Sequence, residues 1–318
     1  MMKDLDSIYM RRCIQLAQNG REGVRPNPMV GAVIVAPDGN RIIGEGYHVR
    51  FGEGHAEVNA FASVKPEDEH LLAGSTIYVS LEPCAHYGKT PPCCDLIIKK
   101  GVRRVVVGCL DSFEKVGGRG IERMRAAGIK VTVGVMESEC RWLNRRFFTF
   151  HEQKRPYIIL KWAQTRNGFI DDDGHTLHIS TPFTKMLVHQ LRAEEDAILV
   201  GRQTDEREHP QLNVREWNGQ SPVRFILSHE HPIDAILHEC YERSLQSLIV
   251  EGGRQTLQSF IDNNLWDEMR VETSPTVLTQ HLQTSTPAPI IPSSAVCYHT
   301  ECYDGNLLQW FRKDVKEK

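Results

Sequence analysis

Apolar residues at Ile8, Met10, Ile14, Leu16 and Ala17, closed by Gly20, predict a helix over 7–19. The apolar run Val30 to Val35 enters Pro37-Asp38-Gly39-Asn40, and Arg41 to Gly44 returns, which predicts a hairpin. A helix is expected from about His55 to Val64. β-branched apolar runs over 76–80 and 102–108 read as strands, with a helix over 93–100 between them. A helix over 119–127 and a strand over 129–134 follow. Strands alternating with helices imply an α/β domain with a mixed, partly parallel sheet. The pattern breaks over Leu143 to Arg155 and restarts after Pro156. A strand over 157–162, a helix opened by Thr181-Pro182, and a strand over 197–201 come next. A strand over 248–250 then runs into Glu251-Gly252-Gly253 and a helix carrying Leu257, Phe260 and Ile261. The expectation is two α/β domains, 1–147 and 156–318, joined by a linker over 148–155.

Composition mainly excludes. At 318 residues, 40% hydrophobic and 25% charged, either half is long enough to bury a core. A formal net charge of −3 and no basic stripe argue against nucleic acid as a partner. A small anionic ligand held by local Arg and Lys stays compatible. No apolar run is long enough to span a bilayer and no secretory signal is evident, so no membrane role is expected. Nine cysteines, an odd number without a framework of close pairs, suit a reducing cytoplasm and a metal or catalytic role for some of them.

That role has a candidate. His55-Ala56-Glu57 is followed by Pro83-Cys84 and by Pro91-Pro92-Cys93. One imidazole and two thiolates make a three-ligand zinc site with an open fourth position, the catalytic rather than the structural arrangement. Water in that position ionises at a pH of about 7. Glu57 lies about 200° round a helix from His55, so it does not share the ligand's direction and can serve as general acid/base. This is the division of labour in zinc deaminases, which carry His-x-Glu and Pro-Cys-x-x-Cys. If Cys93 opens a helix, the helix dipole favours its thiolate. A structural zinc module is the competing reading, with His86 or Cys94 as the fourth ligand.

The stretches Arg25-Pro26-Asn27-Pro28-Met29-Val30-Gly31, Gly44-Glu45-Gly46-Tyr47-His48, His55-Ala56-Glu57 and Leu81 to Asp95 resemble the riboflavin-biosynthesis deaminases over residues 5–147. The eight residues between Cys84 and Cys93 are longer than the Cys-x-x-Cys loop of cytidine and tRNA adenosine deaminases, which weakens a nucleic-acid base deaminase as an alternative. The resemblance implies a cytidine-deaminase-like α/β/α sandwich. It also implies a pyrimidine nucleotide substrate, a diaminopyrimidinone carrying a ribosylamino 5-phosphate that loses its 2-amino group. Asn27, His86 and Lys89 match the family's substrate-contacting positions. An amide suits a pyrimidine edge, and His86 with Lys89 suits a phosphate.

From about 156 onward the chain is similar to the reductase usually fused to this deaminase, a dihydrofolate-reductase-like α/β domain using NADPH. The stretches that carry this are Lys161-Trp162-Ala163-Gln164-Thr165, Ile179-Ser180-Thr181-Pro182, Leu191-Arg192-Ala193-Glu194, Ala197 to Gly201, Pro210 to Arg215, and Val250-Glu251-Gly252-Gly253. The resemblance implies substrate contacts at Lys161, Thr176, Arg192, Leu212, Arg215 and Glu251. It implies cofactor contacts at Ala163, Thr165, His178, Thr204, Glu208, Gly252 and Gly253. Gly252-Gly253 at a strand end offers bare backbone N–H groups to a dinucleotide phosphate. Arg192 and Arg215 have the forked geometry for the substrate phosphate. The chain departs from the family at His178, at Asn167-Gly168, at Glu208-His209-Pro210 and at Thr279 to Leu282, and looks shortened between Arg224 and Glu251. Two readings of this half stay open, a working reductase and a non-reducing binding or oligomerisation module. The family also implies a homo-oligomer.

Overall fold

The computed structural model describes residues 2–87, 91–112 and 117–314, apart from the side chains of residues 2–4. The chain divides into two compact units, 1–153 and 154–318.

The first unit is built on a five-stranded sheet, β2-β1-β3-β4-β5, from β1 (Gly31–Val35), β2 (Ile42–Tyr47), β3 (Thr76–Leu81), β4 (Arg104–Cys109) and β5 (Lys130–Val133). β1 is antiparallel to β2 and β3, while β3, β4 and β5 run parallel. Strands β1, β3 and β4 are buried on both faces, which explains their unbroken apolar runs. One face packs α2 (Ala56–Ala62), α3 (Cys93–Lys100) and α4 (Arg119–Ala126) through Ala60, Phe61, Ile97, Ile121 and Met124. The other packs α1 (Met2–Gln18) and α5 (Glu137–Leu143) through Met10, Cys13, Leu16 and Cys140.

The expected linker is a helix instead for most of its length. α6 (Arg145–Gln153) buries Phe147, Phe148 and Phe150, and Phe147 and Phe148 join the cluster around Tyr9 and Met10. Those aromatics leave water on folding, so the segment packs rather than spans. Its amphipathic pattern, with these phenylalanines on the buried side, is the reason it folds as a helix.

The second unit centres on a seven-stranded sheet, β10-β9-β11-β6-β12-β14-β13. Its members are β6 (Tyr157–Gln164), β9 (Ala197–Gly201), β10 (Val223–Leu227), β11 (Ser247–Glu251), β12 (Glu268–Thr273), β13 (Ala295–Tyr303) and β14 (Asn306–Lys313). The five strands from β10 to β12 are parallel, and the β13–β14 hairpin closes one edge antiparallel. A small ribbon of β7 (Asp171–Asp172) and β8 (His175–Thr176) stands apart from the sheet. The helices are α7 (Pro182–Glu194), α8 (Arg202–Glu208), α9 (Ile233–Glu242) and α10 (Arg254–Asp262). α9 and α10 cover one face through Ile236, Cys240, Leu257 and Phe260, and Leu191 of α7 packs on the other against Ile198, Val200 and Ile249. The stretch from Arg224 to Glu251 holds a continuous strand, helix and strand, so the sheet runs unbroken through it.

Candidate metal centre and reductase cleft

Glycine at position 46 sets the first site. A Cβ there would meet the Ala60 nitrogen at 2.3 Å and the Ala56 oxygen at 2.6 Å, so its absence lets α2 seat directly on β2. Helix α2 starts one residue later than expected. His55 is its N-cap in an extended conformation (φ −68, ψ 168), and Glu57 is its second residue. Cys84 follows β3 in a loop, and Cys93 is the first residue of α3, after Pro92.

These elements bring three donors together. The ligand atoms of His55, Cys84 and Cys93 all lie within 4.8 Å of one another. His55 Nδ1 is 3.6 Å from Cys84 Sγ and 3.3 Å from Cys93 Sγ. A tetrahedral zinc with ordinary bond lengths places its nitrogen and sulfur ligands about 3.5 Å apart, so the donor set fits the ion. Among the described residues no fourth metal-binding side chain joins the group. Cys94 points elsewhere, its thiol against Asp95 Oδ1 at 3.7 Å and its pKa pushed up to about 11 by burial. His86 is exposed. The structural-zinc reading therefore lacks its fourth ligand.

The Cys93 thiol, then His55, hold the Cys84 thiol well below its ordinary range, and the Cys93 backbone N–H donates to its sulfur at 3.3 Å. Glu57 is buried, and burial first and the Cys84 charge second push its carboxyl up to about 7. A carboxyl tuned to that range is populated in both protonation states near neutral pH. His48, not singled out as a site residue from the sequence, packs edge-on against His55 with ring centroids 5.2 Å apart, and burial lowers its pKa to about 4. Its position in Gly44-Glu45-Gly46-Tyr47-His48 was the available signal. Asn27 is half-buried in the turn before β1, where its N–H donates to the Val24 carbonyl at 2.8 Å. Lys89 lies outside the described residues.

In the second unit the register of β11, β6 and β12 sets Glu251, Lys161 and Arg270 in one row across the sheet. Arg192 on α7 donates to Glu251 through Nε to Oε1 at 3.0 Å and Nη2 to Oε2 at 2.9 Å, and Lys161 Nζ stands 3.7 Å from Oε2. Burial alone would raise the Glu251 carboxyl, but Lys161 and Arg192 outweigh it and hold it at about 2. Burial lowers the Lys161 ammonium. The Arg192 fork, expected on a phosphate, is thus taken by Glu251. Arg215 stays exposed, with Nη1 on Asn213 Oδ1 at 3.0 Å, and Asn213 also offers its carbonyl to Arg192 at 3.3 Å. Leu212 is buried with Ile198 and Val200. Thr176 is exposed on β8.

The carboxyl ends of β9 and β10, at Gly201 and Leu227, open with Gly253 just after β11 onto a cleft of about 1390 Å³. Such strand ends are where open parallel sheets hold nucleotides. Gly253 and Thr204 both line it, and the Gly253 N–H donates to Thr204 Oγ1 at 3.2 Å. Gly252 lies between Glu251 and Gly253, and a Cβ on it would lie 3.5 Å from the Gly201 nitrogen. Arg202, Ser228 and Arg254 also line the cleft. The sequence reading missed them, although each directly follows a strand end or the Gly-Gly pair. Ala163, Thr165, His178 and Glu208 are not part of this lining. Ala163 pairs with Glu272 inside the sheet, Thr165 is buried with its hydroxyl accepting from the Phe169 N–H at 3.0 Å, and His178 and Glu208 are exposed.

Fold and sites define a zinc-dependent deaminase joined to a dihydrofolate-reductase-like reductase. Residues 3–109 match the cytidine and deoxycytidylate deaminase zinc-binding region, and residues 156–293 match the RibD C-terminal domain. The riboflavin biosynthesis protein RibD of Aquifex aeolicus is 36% identical over 327 residues, covering 89% of this chain and 90% of that protein. RibD of Actinobacillus pleuropneumoniae is 42% identical over 71% of this chain but only 58% of its own length. The crystal structure of a diaminohydroxyphosphoribosylaminopyrimidine deaminase/5-amino-6-(5-phosphoribosylamino)uracil reductase from Thermotoga maritima superposes with a TM-score of 0.85 at 34% identity, covering 98% of this chain and all of that one. The chain belongs to the RibD family of riboflavin biosynthesis proteins.

Proposed function

We propose that this chain carries out two consecutive steps of riboflavin biosynthesis. The first is hydrolytic deamination of 2,5-diamino-6-ribosylamino-4(3H)-pyrimidinone 5′-phosphate. The second is NADPH-dependent reduction of the ribosyl side chain of the product. The observation that carries the reading is the convergence of His55, Cys84 and Cys93 beside a buried Glu57 whose carboxyl is pushed up by its burial.

Zinc, when bound, acidifies water and supplies the nucleophile at neutral pH. Glu57 takes one proton as a carboxylate and returns it, as the acid, to the departing amine. The sum is water and an aminopyrimidine giving a carbonyl and ammonia. Asn27 and His86 are assigned to the substrate, with Lys89 for its phosphate.

In the second unit the Gly253–Thr204 cleft is assigned to NADPH, which would supply the hydride for the aldehyde carbon of the opened ribosyl chain, with a proton from solvent completing the alcohol. Lys161, Glu251 and Arg192 form a prearranged charged wall for the sugar, and exposed Arg215 is assigned to its phosphate. The remaining cofactor assignments, Gly252, Ala163, Thr165, His178 and Glu208, rest on family resemblance. NADPH oxidation assayed with the deaminated intermediate tests this half. Turnover supports the reductase, whereas none, with deamination intact, would leave a binding or oligomerisation module.

No helix among the described residues is long and apolar enough to cross a membrane. A cytoplasmic location is supported by nine free cysteines, two of them ligand thiols that oxidation would disable. Self-association into a homo-oligomer is carried by family resemblance, and sedimentation velocity decides it.

A further inference from the structure

Cys84 follows β3 in a loop, whereas His55 caps α2 and Cys93 opens α3. The neighbours of Cys84 are fastened to helix α4 from both sides. Upstream, the buried Glu82 carboxylate accepts from the Gly118 N–H at 2.9 Å and from the Asp111 N–H at 3.4 Å. Gly118 is the N-cap of α4 and supplies no side-chain cap, so Glu82 serves as the cap from another segment. Downstream, Arg123 of α4 donates through Nη1 to the Ala85 carbonyl at 3.0 Å and pairs through Nη2 with Asp95 of α3. Between them, Gly120 of α4 lies so close that a Cβ would meet the Pro83 carbonyl oxygen at 2.5 Å. On the far side, the Cys94 N–H donates to the Cys84 carbonyl at 3.2 Å.

We infer that Glu82, Gly120 and Arg123 form a clamp by which α4 positions the Cys84 sulfur for the metal, with Glu82 its principal residue. The inference rests on the zinc reading of the site. None of the three belongs to the converging donor set of His55, Cys84 and Cys93, so they act as positioning residues. A loop ligand otherwise has to be ordered when metal binds, and that entropy is subtracted from affinity. Capping α4 with a carboxylate from the ligand loop settles the loop beforehand. Gln at 82 keeps one acceptor oxygen for the Gly118 and Asp111 N–H groups but removes the negative charge that faces the N-terminus of α4, and so weakens the cap while keeping its volume.

The test is zinc affinity by chelator competition on the purified full chain, for wild type, Glu82→Gln, Gly120→Ala and Arg123→Ala. Leu72→Ala, a core truncation in the same unit away from the clamp, serves as the control. Supporting partners of metal ligands are typically worth about 10–100-fold in affinity. Glu82→Gln and Gly120→Ala are expected to fall in that range and Arg123→Ala, being more exposed, near its lower end, with Leu72→Ala unchanged. The cobalt-substituted variants should also show a displaced thiolate-to-metal charge-transfer band, which loss of stability alone would not move. If Glu82→Gln does not fold, Gly120→Ala and Arg123→Ala decide. Folded variants that hold zinc within twofold of wild type, with an unmoved band, overturn the clamp. A wild type that took up no zinc would overturn the metal reading and the clamp with it.

Discussion

Arg192 closes on Glu251 through two hydrogen bonds, at 3.0 and 2.9 Å, inside a sheet face where both residues are buried. Removing Arg192 takes both of these hydrogen bonds from a buried carboxylate and leaves it only the Lys161 ammonium at 3.7 Å. Arg192→Ala should therefore destabilise the second unit by about 3–5 kcal/mol. The pH dependence follows from the sign of the shift. Glu251 is held at about 2, below the ordinary 4.5, so its contribution is present above pH 4.5 and lost as pH falls toward 2. Urea titrations across that window should show wild type losing stability with acid and Arg192→Ala losing less. Equal slopes would contradict the pairing.

Glu57 has the opposite sign. Its carboxyl rises from 4.5 to about 7, so the folded metal-free chain prefers it protonated and loses stability as pH rises through 7. A shift of that size is worth on the order of 3 kcal/mol. Metal-free Glu57→Gln should thus be more stable than metal-free wild type at pH 8 and similar at pH 4.5. Thermal melts of the chelated proteins at both pH values check this, and a destabilised variant at pH 8 would rule it out.

Cys84 and Cys94 should separate cleanly. Cys84→Ser should lose zinc, because its sulfur is one of three converging donors, while Cys94→Ser should retain it. Metal analysis of both purified variants is sufficient. Zinc retained by the Cys84 variant and lost from the Cys94 variant would reassign the ligands.

Thr204 tests the cleft. Its hydroxyl accepts from the Gly253 N–H, and one such bond is worth about 1 kcal/mol, or roughly fivefold. Thr204→Val should raise the KM for NADPH by that order with little change in kcat. An unaltered KM would move the cofactor elsewhere.

Much of the site was legible because its chemistry is local. His55 and Glu57 are two residues apart, and Cys93 opens its helix behind Pro92, so short-range patterns reported them. What escaped depends on tertiary burial. β12 (Glu268–Thr273) was not anticipated because Glu268, Arg270 and Glu272 alternate as a solvated strand would, yet all three are buried. Glu272 is satisfied there by Ser180, Thr184 and Asn306, partners far away in sequence. The β13–β14 hairpin had a usable signal in Asp304-Gly305, both with positive φ, but its outer strand lacks apolar alternation. The fate of Arg192 was likewise hidden, since its partner Glu251 lies 59 positions away.

Ammonia release from the diaminopyrimidinone ribosylamino 5′-phosphate, measured alongside bound zinc for wild type and Glu57→Gln, bears most directly on the account. One zinc per chain is expected in both proteins, with ammonia from wild type and a rate reduced by at least about 100-fold in the variant. A zinc-loaded wild type that released no ammonia, or a variant that released it at the wild-type rate, would contradict it.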